Sequence, residues 1–144
     1  MMKTYNSLLF LILFSLFPLF SYGAEFSILN DNNLISELRP GQKVTVGFMD
    51  ITASEDAKII KIEAEMIDRI EAHSMIMDRE IMKMRKITPE LVKNKKYKLM
   101  PGSNHLMLFN IKRELRAGDD IDLLFTFQLK NKEVLSKSIP FKVK

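Results

Sequence analysis

Short runs in which apolar and polar residues alternate fill most of this sequence, and turn signals separate them about every ten residues. Val44, Val46 and Phe48, for example, share one side of a run that begins after Pro40 and Gly41. Because alternate side chains of a strand point to opposite faces, such a run can bury one face and expose the other. Roughly seven such strands in a chain of 144 residues predict a single all-β domain with an antiparallel β-sandwich fold.

One segment, "KIIKIEAEMIDRIEAHSMIMD" at 58–78, fits two structures. Its first half alternates as a strand does, yet Ile59, Ile62, Met66 and Ile70 also recur at helical spacing. The alternation changes phase around residues 67–69. The residues alone therefore leave open a helix, or two strands that meet at a turn or bulge at that point.

Proline, glycine and asparagine mark three other segments. "YKLMPGSNHLMLFNI" at 97–111 predicts a hairpin, because Pro101 and Gly102 suit the central positions of a type II turn. "NDNN" at 30–33 predicts a short linker. "SIPFKVK" at the end of the sequence predicts an edge strand, where a proline is tolerated.

The N-terminal segment has the order of a secretory signal peptide: a basic start, an apolar run and then small residues. The apolar run extends over about 13 residues, which is shorter than the roughly 20 needed to span a bilayer. Ser21 and Gly23 suit cleavage after Gly23. We therefore expect a signal peptide at 1–23, a mature domain at 24–144, export to the periplasm and no stable membrane anchor after cleavage.

Cysteine is absent from the sequence, and the net charge is +4. Without cysteine there is no thiol for a bacterial lipoprotein anchor, no disulfide and no thiolate metal ligand. The charges alternate in sign along the chain and form no basic block, so we expect no nucleic-acid binding.

The two histidines and six of the ten methionines lie within residues 73–107, about a quarter of the chain. Packing is one explanation, since methionine fills irregular gaps in a core, and it suffices for Met49, Met66 and Met100 taken singly. Histidine fits it poorly, because a buried imidazole needs partners for both ring nitrogens. The alternative is a soft-metal site, because thioether sulfur and imidazole nitrogen suit Cu(I).

Other chemistries find less support in the residues. A blue-copper centre needs a cysteine ligand, and two histidines alone do not complete a structural zinc site. No catalytic or nucleotide-binding motif occurs. Glu71, Asp78 and Glu80 lie near His73 in the sequence and form a weak candidate for an acid-base pair. We therefore expect no enzymatic activity.

The spacing of these side chains resembles that of the periplasmic copper chaperones of the PCu(A)C family. In that family a histidine, ten residues, a methionine and about twenty-one residues precede a His-x-Met motif. Ten residues separate His73 from Met84 here, and "HLM" supplies His105 and Met107. The segments "RPGQKVTVGFM", "MKMR", "PGSNHLMLFNIK" and "LRAGDDIDLLFTF" also resemble the family.

The resemblance implies a cupredoxin-like (immunoglobulin-like) β-sandwich that binds one Cu(I) per chain through His73, Met84, His105 and Met107. It implies delivery of copper to the copper A centre in subunit II of cytochrome c oxidase, or to another copper-assembly factor. It also favours two strands over a helix at 58–78.

Two departures accompany the resemblance. Twenty residues separate Met84 from His105, one fewer than in the family pattern, and "EFSILNDNNLISEL" lacks a tryptophan and an arginine expected in the first strand. We expect Met75, Met77 and Met82 to form an outer shell around the metal, with Met75 also a possible replacement ligand.

Two other functions remain open at this stage. The first is a structural or adhesive β-sandwich whose methionines belong to the core and bind no metal. The second is a copper redox enzyme, which two thioether ligands disfavour because they stabilise Cu(I).

Overall fold

The computed structural model describes residues 25–144. The predicted signal peptide lies outside these residues. The described part of the chain folds into ten β-strands and contains no helix, and so none that could cross a membrane. The strands are β1 (Ile28–Ile35), β2 (Val44–Ala53), β3 (Ala57–Glu63), β4 (Ile67–Asp78), β5 (Ile81–Ile87), β6 (Glu90–Leu91), β7 (Lys96–Leu99), β8 (His105–Ile111), β9 (Asp120–Leu129) and β10 (Val134–Val143).

The strands form one continuous path of hydrogen-bonded neighbours in the order β5-β4-β8-β2-β1-β10-β9-β3-β6, and β7 also pairs with β2. β1 pairs antiparallel with β2 and, through its last two residues, parallel with β10. It thus joins a layer that contains β5, β4, β8, β2 and β7 to a layer that contains β10, β9, β3 and β6. The prediction of an all-β antiparallel sandwich is confirmed, with the β1–β10 pair as the parallel exception.

The two layers enclose one hydrophobic core. The β2–β8 layer contributes Met49 and Leu106, and the facing layer contributes Phe125, Phe127 and Phe141, all at most 1% exposed. Neighbouring Phe125 and Phe141 stack with ring centroids 6.1 Å apart. Because aromatic rings of this size bury 150–250 Å² each, they supply much of the burial that holds the layers together.

The ambiguous segment at 58–78 consists of two strands. β3 ends at Glu63, and a tight turn leads to β4, with a bridge between Ala64 and Ile67. Met66 in this turn has a φ of 66°. The turn therefore comes just before residues 67–69, where the alternation changes phase.

The prediction of a hairpin at 97–111 is wrong. Ser103 N donates to Met100 O at 3.1 Å and Gly102 has a φ of 77°, as a type II turn requires. However, β7 and β8 both pair antiparallel with β2, β7 along residues 49–52 and β8 along residues 44–47. The two strands therefore run in the same direction, and the turn is a bulge between them.

Two smaller predictions also need correction. Residues 30–33 are not a linker but part of β1, where a left-handed Asn32 accompanies a shift in register against β2. β10 is not an edge strand, because it lies between β9 and β1. Pro140 is nevertheless tolerated, since β1 pairs only with Lys142 and Val143.

Candidate metal centre

The candidate site lies on the outer face of the β5-β4-β8 part of the sheet. β4 and β5 form a hairpin in which Asp78 pairs with Ile81, so only Arg79 and Glu80 form the loop. Both loop residues have positive φ, 49° and 67°, the backbone that a type I′ turn requires. This tight turn fixes which side chains of the two strands lie opposite each other.

The two histidines lie directly opposite each other on neighbouring strands. His73 on β4 pairs with His105 on β8, so both side chains point to the same face of the sheet. Their ring centroids are 6.2 Å apart and the rings are inclined by 36°. With metal–nitrogen bonds of about 2 Å, two imidazoles that share one ion have centroids at most about 6 Å apart. The observed separation thus lies at the upper limit of what a shared ion allows.

The two predicted thioether ligands lie on the same face, on either side of the histidine pair. Met107 follows His105 on β8 and pairs with Glu71 of β4. Met84 on β5 pairs with Met75 of β4. The sheet therefore brings all four predicted ligands onto one surface across three strands. Met84 is one strand from His73 and two strands from His105, whereas Met75 is one strand from His105.

The ring of His105 is oriented by the bulge that precedes it. Its Nδ1 lies 2.8 Å from the carbonyl oxygen of Ser103, which can only accept a hydrogen bond. Nδ1 therefore carries the proton of the neutral ring, and Nε2 keeps a free lone pair. His105 is buried, with 6% of its surface exposed, so few other orientations are open to the ring.

The ring of His73 is oriented in the opposite sense. Its Nε2 lies 2.8 Å from Oε2 of Glu71, a carboxylate that accepts the ring proton. Its Nδ1 is buried and has no hydrogen-bond partner. A buried nitrogen without a partner costs free energy unless something binds it, and here it carries a lone pair suited to a metal ion. Each histidine thus has one nitrogen held by the protein and one available as a ligand.

Glu71 holds His73 through a small charged cluster. Its carboxylate also contacts Arg69 at 3.1 Å and Lys86 at 3.6 Å. The hydrogen bond from His73, with the charges of Lys86 and Arg69, keeps the pKa of the Glu71 carboxyl below its usual range, against the effect of burial. Glu71 therefore remains an anion that accepts the imidazole proton, an arrangement common behind metal-bound histidines.

Phe109 closes one side of the site. The ring centroids of Phe109 and His73 are 6.0 Å apart, and the Arg69 guanidinium lies 4.2 Å from the centroid of the Phe109 ring. Phe109 limits the freedom of the His73 ring from one side, while Glu71 holds it by a hydrogen bond.

The three methionines predicted as an outer shell lie on the same face as the histidines. Met77 and Met82 pair with each other near the tip of the hairpin, next to the pair of Met75 and Met84. Met84 is 55% exposed, although both histidines are mainly covered. This surface is therefore open to solvent on the methionine side.

Hard ligands alone do not form a metal site in residues 25–144, where no group of three or more His, Cys, Asp or Glu side chains is arranged to hold a metal ion. Two imidazoles with methionine thioethers form instead a soft donor set, which suits a closed-shell ion such as Cu(I). The residues present therefore fit such an ion.

Two contacts of the site are not among the features that the sequence predicts. Glu71 is there only a weak candidate for an acid-base pair, and its position two residues before His73 is the available signal, since it places both side chains on one face of the strand. No sequence signal indicates the Ser103 carbonyl as the acceptor for His105.

A family model described as "Putative lipoprotein LpqE-like" matches residues 29–136, which include every strand of the candidate site. The chain belongs to the LpqE-like family. The match covers β2 to β9, and with them all four candidate ligands.

One curated relative, the uncharacterised protein RP573 of Rickettsia prowazekii, is 30% identical to this chain over 90 residues. The aligned region covers 61% of this chain and half of the relative. The chain thus spans about half the length of the curated relative it matches.

Solved structures of two PCuAC domains and of the protein DR1885 share the fold of this LpqE-like chain. The apo PCuAC domain from PmoF1 superposes with a TM-score of 0.62 at 13% identity and covers 81% of this chain and 94% of that domain. The copper-bound PCuAC domain from PmoF2 superposes with a TM-score of 0.60 at 12% identity, and the match covers 81% of this chain and 93% of that domain. The Cu(I) form of DR1885 from Deinococcus radiodurans superposes with a TM-score of 0.54 at 20% identity, and the match covers 81% of this chain and 76% of DR1885.

Proposed function

We propose that this LpqE-like protein is an exported Cu(I)-binding metallochaperone that holds one copper ion and passes it to an acceptor. The observation that carries the proposal is the opposed pair of histidines, each with one ring nitrogen held by the protein and the other free. Two proteins of the same fold, the PCuAC domain from PmoF2 and DR1885, have been solved in copper-bound forms, which supports the same class of ion here.

In this proposal His73, His105, Met107 and Met84 ligate the ion. His73 would bind through Nδ1 and His105 through Nε2, because their other nitrogens donate to Glu71 and Ser103. The thioethers need no deprotonation and favour Cu(I) over harder divalent ions. Unlike thiolates, these ligands would not be lost by oxidation to disulfides in an exported protein.

Transfer is favoured by the uneven burial of the site. The histidines are mainly covered, whereas Met84 lies at the surface and is 55% exposed. An acceptor could displace this exposed thioether first, without unfolding the strand pair that carries the imidazoles. An acceptor with thiolate ligands would then bind Cu(I) more strongly, since thiolate is a charged soft ligand. The copper A centre of cytochrome c oxidase subunit II is the proposed destination.

The proposal is tested by competition for Cu(I) between the apoprotein and a chromophoric chelator. The test variant combines His73→Gln with His105→Asn, which keep an amide donor for Glu71 and Ser103 but lose the imidazole lone pairs. We expect wild-type protein to take up one tightly bound equivalent and the variant to lose at least about 100-fold in affinity. Met66→Leu, a substitution at a distant exposed methionine, should leave the affinity unchanged.

Equal affinity of the double variant and the wild type would reject the proposal and favour a structural role for the histidines. The fourth ligand is tested by Met84→Leu and Met75→Leu, which preserve apolar volume but remove one sulfur each. We expect Met84→Leu to weaken binding more. The reverse order would assign the position to Met75.

Delivery is tested separately by mixing the Cu(I)-loaded protein with the apo copper A domain of an oxidase subunit II. We expect the acceptor to acquire the visible absorption of its copper centre once the second copper and an oxidant are supplied. Retention of copper by the loaded protein would reject this destination but not the binding site.

A further inference from the structure

The tip of the β4–β5 hairpin carries four methionines on one face. Met75 lies opposite Met84, and Met77 lies opposite Met82. Directly opposite residues of an antiparallel pair have Cβ atoms about 4.5–5.5 Å apart, and diagonal neighbours lie about 7–8 Å apart. Methionine has three rotatable side-chain bonds, so neighbouring sulfurs on this face can reach a common point.

Core packing does not explain this arrangement. Met77 is 67% exposed and Met82 is 52% exposed, whereas Met49 in the core is fully buried. Strand surfaces that face water usually carry polar side chains, and these two positions gain little from burial. Their sulfur atoms remain accessible to a solute.

Two charged side chains of the strands beside the tip lie on the other face of the hairpin. Asp78 and Lys83 each follow a methionine by one residue, so they point away from it, and they form an ion pair with each other at 2.7 Å. The carboxylate of Asp78 is therefore kept off the methionine face, and the carboxylate of Glu71, which lies further along that face, is engaged by Arg69, His73 and Lys86. Such a surface disfavours hard divalent ions and suits soft monovalent ones.

We propose that Met75, Met77 and Met82 form a second, thioether-only site for a soft monovalent cation, Cu(I) or Ag(I), beside the imidazole centre. Met84 lies between the two sites and is a ligand of the imidazole centre in the proposed function. With no imidazole ligand, the second site binds more weakly and fills after the first. It extends the capacity of the protein from one soft ion to two.

The experiment uses Ag(I), which has the same closed-shell character as Cu(I) and, unlike Cu(I), is not oxidised by air. The protein carries 13C-labelled methionine methyl groups and the His73→Gln and His105→Asn substitutions, which remove the imidazole centre. We expect this variant to bind one equivalent of Ag(I), with the methyl resonances of Met75, Met77 and Met82 shifting together while that of Met66 stays in place.

Addition of Met77→Leu and Met82→Leu should abolish that equivalent, because leucine keeps the apolar volume and removes both sulfurs. Both positions are exposed, so the fold should persist, as circular dichroism would verify. Met66→Leu in the same background is the matched control and should retain Ag(I) binding.

Failure of the histidine-free protein to bind Ag(I), or unchanged binding after both leucine substitutions, would overturn the second site. Neither result bears on the first equivalent of Cu(I) in the wild-type protein, which depends on the histidines. Conversely, the Cu(I) affinity could be unchanged by the two histidine substitutions while Ag(I) still binds at the hairpin tip. That result would reject the proposed function and retain the second site.

Discussion

Met49 and Met84 belong to the same layer of the sandwich but lie on opposite faces of it. Met49 on β2 points into the core, opposite Leu99 of β7, and is fully buried. Met84 on β5 points outward beside His73 and is 55% exposed. The thioether of Met49 is an apolar filler of the core, whereas that of Met84 is a soft ligand in the proposed function. Sheet register, and not residue type, separates the two uses.

The largest effect on stability should come from the buried methionine. Met49→Ala leaves a cavity in the core and should lower the free energy of unfolding by about 2–5 kcal/mol. Met84→Ala, at an exposed position, should lower it by less than about 0.5 kcal/mol. Chemical denaturation of the two apoproteins measures both values. Equal losses would show that Met84 also belongs to the core and would remove the distinction between the two faces.

The next effect concerns copper and not stability. Glu71→Gln removes the anion that accepts the His73 proton, and loss of such an outer partner typically weakens metal binding about 10–100-fold. The carboxylate of Asp68 lies on the same strand but contacts Lys112 and Asn110, so Asp68→Asn is the matched control. Chelator competition should show weaker Cu(I) binding for the first variant only. Unchanged affinity of Glu71→Gln would mean that Glu71 does not orient His73 for the metal.

A third effect tests the turn that sets the register of the methionine face. Glu80 has a φ of 67°, and a left-handed conformation costs a residue with a Cβ roughly 1–2 kcal/mol. Glu80→Gly should therefore raise the free energy of unfolding by about 1 kcal/mol and leave Cu(I) affinity unchanged. Arg85→Gly, within extended β5, should lower it by about 0.5–1 kcal/mol. Destabilisation by Glu80→Gly would show that the turn is not strained.

The smallest effect lies in the turn between β2 and β3. Asp56 accepts hydrogen bonds from Lys130 Nζ and Lys93 N, both at 2.7 Å, which lower the pKa of its carboxyl, the Lys130 bond most strongly. A carboxyl with a lowered folded-state pKa stabilises the fold above its unfolded pKa of about 4, and this contribution is lost as the pH falls further.

Asp56→Asn should therefore reduce the melting temperature slightly near neutral pH, and the difference from wild type should shrink below about pH 4. Thermal melts from pH 7 to pH 2.5 measure this difference. A difference that stays constant over the whole range would show that the Asp56 charge contributes nothing to stability.

Much of the fold follows from local patterns. Alternation predicts the sandwich, and it also places His73 with Met75 and Met77, and His105 with Met107, on common strand faces. The relation between those strands depends on pairing over long distances in the sequence. The direct opposition of His73 and His105, and the position of Met84 beside Met75, follow from registers that no local pattern encodes.

The incorrect hairpin at 97–111 has the same physical origin. A type II turn at Pro101 and Gly102 is compatible with a reversal of the chain or with a bulge between collinear strands. The choice depends on β2, whose long edge pairs with both β7 and β8. That bulge also places the Ser103 carbonyl against His105, which is why this contact could not be predicted from the sequence.

X-ray absorption at the copper edge of the protein loaded with one equivalent of Cu(I) tests the central claim most directly. We predict a first shell of two imidazole nitrogens and two thioether sulfurs, and the loss of one sulfur in Met107→Leu. A shell without sulfur, or a shell without imidazole, would contradict a Cu(I) centre built on the outer face of β5, β4 and β8.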